Sequence, residues 1–130
     1  MFKTILLINY QEALAAIREK NFHVLQANTS LRGIEILNSQ PVDCIVTTLQ
    51  VPDVSGITMA RLVRNSSHSV PIIICSSLHL DGFTEAPTGV VFLNKDETFE
   101  SLISELSKLP PTPRMARNIE IPNYVGAFQK

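Results

Sequence analysis

The chain has 130 residues, 45% of them hydrophobic and 18% charged, which suits one compact domain and excludes both a two-domain protein and a disordered segment. A formal net charge of −1 gives no broad attraction to nucleic acid or to an anionic membrane surface. No aromatic-laced basic patch is visible, and no run approaches the roughly 20 apolar residues of a membrane span.

In chain order, the first apolar run is Lys3–Ile8. It passes into Asn9-Tyr10-Gln11-Glu12 without the small-residue cleavage pattern of a signal peptide, so a cytoplasmic location is expected. Ala13, Leu14 and Ile17 share a helical stripe, followed by a strand-like run at Phe22–Ala27. Leu31, Ile34 and Leu37 make a second stripe, and Val42–Thr48 a third apolar run. Next comes the turn Pro52-Asp53-Val54-Ser55-Gly56, then a helical stretch over Ile57–Arg64 whose stripe is Met59, Leu62 and Val63. Runs at Val70–Cys75 and Val90–Leu93 complete five strands. A last helix is expected after Thr98 as N-cap, with Phe99, Leu102, Ile103 and Leu106 on one face.

Between the last two strands, Ser77–Gly89 breaks the rhythm. Gly82 and Pro87 disfavour a helix interior by about 1 and about 3 kcal/mol, so a short distorted turn or an irregular loop is expected there. Pro110-Pro111-Thr112-Pro113 ends the globular pattern. The expected organisation is a domain over 1–109 and a Pro-led tail or linker over 110–130.

Near-continuous Ile, Leu and Val runs alternating with helices imply a parallel α/β sheet covered on both faces, with right-handed crossovers. Chemistry in such folds gathers at the carboxyl ends of the strands. Asn9, Tyr10, Thr48, Ser76 and Lys95 all fall at that edge. With Thr48 level with Ser76, Cys44 and Cys75 would stand roughly 10 Å apart along the sheet, too far for a disulfide. Two buried, reduced thiols are expected.

Val42–Thr48 and the Pro-Asp-x-x-Gly turn after it closely resemble the third strand and following loop of bacterial response-regulator receiver domains. Pro71-Ile72-Ile73-Ile74-Cys75-Ser76-Ser77 resembles that family's fourth strand, and Gly89-Val90-Val91-Phe92-Leu93-Asn94-Lys95 its fifth. The resemblance covers about Lys3 to Leu109. It implies a flavodoxin-like three-layer sandwich with a five-stranded sheet of order 2-1-3-4-5. It places Thr48 where the family has its phosphoacceptor aspartate, and Asn9 and Tyr10 where an acidic pair holds a divalent metal. Ser76 falls at the hydroxyl position, Phe92 at the aromatic switch position and Lys95 at the family's lysine. Lys95-Asp96 replaces the commoner Lys-Pro.

Phosphoryl transfer to aspartate needs a carboxylate nucleophile and Mg²⁺ held mainly by carboxylates. An amide, a phenol and a hydroxyl supply neither, so no catalytic residue, no metal and no cofactor are expected, and Tyr10 is read as a ring plugging the former metal pocket. Asp53 is read as bracing its turn. Lys95 and Ser76 either bind an anion or lock Thr48 and Asn9, or else face solvent and backbone. Flavodoxin-type phosphate loops, Gly-x-Gly-x-x-Gly turns, cobalamin motifs and zinc spacings are absent, and His23, His68 and His79 are read as structural or solvated. The resulting expectation is a phosphorylation-independent pseudo-receiver, not an enzyme, acting through a protein partner: a kinase, an effector domain or a second copy. The competing expectation is a small-anion or metabolite sensor using the strand-end pocket around Lys95.

Overall fold

Every expected strand forms, and all five run parallel. In the computed structural model, which describes residues 2–66, 68–77 and 87–109, they are β1 (Thr4–Ile8), β2 (His23–Ala27), β3 (Cys44–Thr48), β4 (Ile72–Ser76) and β5 (Val90–Asn94). Their order is β2-β1-β3-β4-β5, as expected. A 3-10 turn at Gln11–Ala13 leads into α1 (Leu14–Glu19); α2 (Ser30–Ser39), α3 (Gly56–Asn65) and α4 (Glu100–Ser107) follow among the described residues. The irregular stretch expected around Gly82, together with His79 and the tail 110–130, lies outside the described residues.

Alternation along the strands divides the apolar side chains between two cores. Leu6, Ile8, Ile45, Ile72 and Ile74 face α2 and α3, meeting Leu31, Ile34, Leu37, Met59 and Val63. Ile5, Leu7, Cys44, Val46, Ile73 and Cys75 face α1 and α4, meeting Ala13, Ile17, Leu102 and Leu106. The three central strands are covered on both faces, and every residue of β3 and β4 is buried, including the polar Thr47, Thr48 and Ser76 at their carboxyl ends. Burying one such side chain contributes about 1.5–3 kcal/mol.

Helix starts are set by local polar caps. Thr29 Oγ1 accepts from Arg32 N–H at 3.1 Å to open α2, and Ser55 Oγ accepts from Thr58 N–H at 3.2 Å to open α3. The start of α4 departs from expectation. Phe99 sits at its N-cap in a left-handed conformation (φ 58°), and its N–H donates to Asp96 Oδ1. Thr98 Oγ1 accepts from Glu100 N–H at a long 3.4 Å, so Asp96 takes over most of the capping expected of Thr98. Hydrogen bonds to the Asp96 carboxylate, first from the Thr98 hydroxyl and then from backbone N–H groups including that of Phe99, hold its carboxyl below the usual aspartate range.

The β3–β4 register differs by one residue from the expectation: Thr48 pairs with Cys75, and Ile45 with Ile72. Cys75 therefore lies four positions beyond the level of Cys44, roughly 13 Å along the sheet. Both thiols are free and buried. Burial pushes both pKa values up, that of Cys75 to about 12 with Lys95 partly opposing the rise. Labelling of the native protein by a thiol reagent should be at least about a thousandfold slower than labelling of the urea-unfolded chain. Fast native labelling of either cysteine would contradict this packing.

His68 is structural, as read. Its Nδ1 accepts from Val70 N–H at 3.2 Å, and burial together with the Arg64 guanidinium holds the imidazole below its usual pKa. Arg64 in turn donates to the carbonyls of Thr88, His68 and Gly89, tying the end of α3 to the start of β5.

Candidate functional site

The sheet order places a switch point between β1 and β3, where the chain leaves for opposite sides of the sheet. Asn9 follows β1 there, Thr48 ends β3, Ser76 ends β4 and Lys95 follows β5. A recess of about 270 Å³ at this edge is lined by Asn9, Glu12, Thr48, Gln50, Ser76 and Lys95 among others. The topology thus gathers five of the six residues singled out in the sequence at one edge; four of them line the recess.

Asn9 is the hub. Its backbone is left-handed (φ 52°), a conformation asparagine tolerates better than most residues. Its Nδ2 donates to Thr48 Oγ1 and to the Gln50 carbonyl, each at 3.2 Å. The carbonyl can only accept, which fixes the amide orientation with nitrogen inward. Thr48 is 5% exposed, and the one proton of its hydroxyl points to the Gln50 carbonyl at 3.3 Å or the Asn9 carbonyl at 3.5 Å. Asn9 thus ties Thr48 to the end of β1.

Tyr10 is not among the side chains lining this recess. Its ring is 3% exposed, in the core beneath α1 and α4 and edge-on to Phe99, with centroids 6.0 Å apart. Lys95 Nζ lies over the Tyr10 ring, 4.8 Å from its centroid. Burial first, then the neighbouring Cys75, Glu12 and Asp96, push the Tyr10 phenol up to about 12, so it is protonated at neutral pH and no base. The backbone N–H of Lys95 donates to the Ser76 carbonyl at 2.9 Å, joining β5 to β4. Phe92 is half-buried against the α2–α3 core.

Asp53 braces more than its own turn. Its two carboxylate oxygens accept from the N–H groups of Ser30 and Leu31, each at 3.0 Å, at the positive end of α2. The Ser30 hydroxyl donates to the Val54 carbonyl at 2.7 Å. Gly56 brings α3 against the end of β3, with its N–H on the Leu49 carbonyl at 2.9 Å. Glu12 and the Gln50 carbonyl were missed in the sequence. The 3-10 turn at Gln11–Ala13 carries Glu12 back to the strand edge, and a backbone carbonyl leaves no mark in a sequence.

A parallel sheet of this order, with its recess at the β1–β3 switch point, defines a receiver-type α/β protein of the flavodoxin-like class. The chain belongs to the response regulator receiver domain family, whose model matches residues 6–106. Receiver domains are signalling modules of two-component systems. Over 60 residues the chain is 32% identical to the CAI-1 autoinducer sensor kinase/phosphatase CqsS of Vibrio cholerae, covering 44% of this chain and 9% of that protein. Over 64 residues it is 31% identical to the two-component response regulator ORR5 of Oryza sativa, covering 47% and 48%. It therefore spans less than half of either relative. Among solved structures it shares its fold with TrrA of Thermotoga maritima, determined with Mg²⁺ and BeF, at TM-score 0.75, 19% identity and coverage of 84% and 100%. The receiver domain of sensor kinase PA1611 of Pseudomonas aeruginosa, with magnesium in its active-site cleft, matches at TM-score 0.72, 22% identity and coverage of 84% and 98%.

Proposed function

We propose that this receiver domain is a phosphorylation-independent signalling module, a pseudo-receiver that acts through protein–protein contacts. The observation that carries this reading is the hydrogen-bonded set of Asn9, Thr48 and the Gln50 carbonyl, which puts an amide and a hydroxyl where the receiver resemblance expects carboxylates. Mg²⁺ requires near-octahedral oxygen ligands at about 2.0–2.1 Å and gives up its waters reluctantly. Here Asn9 turns nitrogen, not oxygen, toward the two oxygens that face it, and Tyr10 is committed to the core. Among the described residues, Glu12 is the one carboxylate that lines the recess, and no group of three or more His, Cys, Asp or Glu side chains gathers. These residues do not fit the metal.

Thr48 is also poorly suited to act as a nucleophile. Activation requires a neighbouring base, yet its hydroxyl proton is directed to backbone carbonyls. TrrA and the PA1611 receiver were determined with Mg²⁺, and this chain shares their fold. A fixed surface then remains for a partner, which we read as a kinase, an effector domain or a second copy in a cytoplasmic two-component system. Residues 110–130, led by Pro110-Pro111-Thr112-Pro113, we read as a tail outside the domain.

Thr48→Asp tests the reading. Restoring the acceptor alone should give no Mg²⁺-dependent labelling by acetyl phosphate, because Asn9 and Tyr10 still withhold the metal. Stoichiometric labelling of that single variant would show that the chemistry lacks only its nucleophile.

A further inference from the structure

We propose that Asn9 is a tethered substitute for a dissociable cation: a positioning residue whose amide permanently clamps the carboxyl ends of β1 and β3. The ladder between these strands ends at the Ile8–Thr47 pair. Beyond it the Thr48 hydroxyl and the Gln50 carbonyl stand 3.3 Å apart, the single hydroxyl proton serving either this carbonyl or that of Asn9, and a donating group that reaches both oxygens ties them to β1. Nδ2 of Asn9 is that group, 3.2 Å from each.

The surroundings hold this amide in place. Asn9 N–H donates to the Ala27 carbonyl at 2.8 Å, pinning β1 to β2 just before the side chain crosses to β3. The left-handed backbone at φ 52° gives the crossing direction. On the far side, Leu49 N–H donates to the Cys75 carbonyl at 3.2 Å and Gly56 N–H to the Leu49 carbonyl, so the clamped loop is already joined to β4 and α3. A bound cation would come and go with its concentration. A covalently attached neutral amide does neither, and the strand ends keep one arrangement whatever the metal level.

The clamp rests on the pseudo-receiver reading only in that no phosphoryl group competes for Thr48. A double-mutant cycle in the full chain tests it. Asn9→Gly removes the amide while keeping the left-handed backbone, and Thr48→Val removes the hydroxyl with little change of shape. Each should lower the folding equilibrium constant about fivefold, and the double variant by about the same factor as the worse single. Factors that multiply would overturn the clamp and leave the pseudo-receiver reading standing. Asn9→Asp, which keeps shape and φ preference but turns an acceptor toward the Gln50 carbonyl, should fall below Asn9→Gly in stability in EDTA. Wild-type stability there would overturn the proposal, as would a saturable rise of the wild-type unfolding midpoint with millimolar Mg²⁺.

Discussion

Tyr10→Ala should lower the free energy of unfolding by about 3–5 kcal/mol, the range for removing a buried aromatic side chain. The ring is 3% exposed and belongs to the α1–α4 core with Ile17, Leu102 and Leu106. Its edge-to-face pairing with Phe99 adds about 0.5–1.5 kcal/mol to the burial, and the overlying Lys95 ammonium about 0.5–1. Tyr10→Phe keeps ring and contacts and should cost under about 1.5 kcal/mol. Tyr10→Asp restores the acidic residue type of the resemblance, yet it should be at least as damaging as alanine, because a carboxylate would replace a ring in an apolar core. Urea midpoints of the three variants measure this order. A Tyr10→Ala cost below about 1 kcal/mol would mean that the ring is not a core element.

Gly56→Ala should cost about 1–3 kcal/mol. Alanine within a helix ordinarily gains up to about 1 kcal/mol over glycine, so the sign depends on space. A Cβ at position 56 would lie 2.6 Å from the Thr48 carbonyl oxygen and 3.3 Å from Thr47 Cγ2. A backbone oxygen cannot swing aside as a flexible side chain can. Either the start of α3 or the end of β3 must move, and Thr48 moves with the latter. Loss of stability together with shifted amide resonances at Thr48–Gln50 is the expected result. A stabilised variant with unchanged resonances would contradict the close approach.

These two residues also show what was legible in the sequence. The strands and both helix-facing cores could be read because β3 and β4 are near-continuous apolar runs and the α4 stripe has a helical period, and the Pro-Asp-x-x-Gly turn placed Thr48 at the strand edge. Periodicity is blind to register, which is why Thr48 was set against Ser76 rather than Cys75. It is blind to cap exchange as well, so Asp96 was overlooked in favour of Thr98. Asn9 and Tyr10 are neighbours in sequence, but the left-handed backbone at Asn9 breaks the strand alternation after Ile8, so the amide goes to the recess and the ring joins Ile5 and Leu7 in the α1–α4 core. Glu12 joins the recess through a 3-10 turn that no hydrophobic pattern marks.

On the pseudo-receiver reading proposed above, the strand-end recess keeps the receiver architecture without its phosphorylation chemistry. Amide NMR shifts of the wild-type chain, followed on adding Mg²⁺ and then beryllofluoride, test this most directly. No saturable shift is expected at Asn9, Thr48, Ser76 or Lys95. Saturable, Mg²⁺-dependent shifts at those residues with beryllofluoride would contradict it.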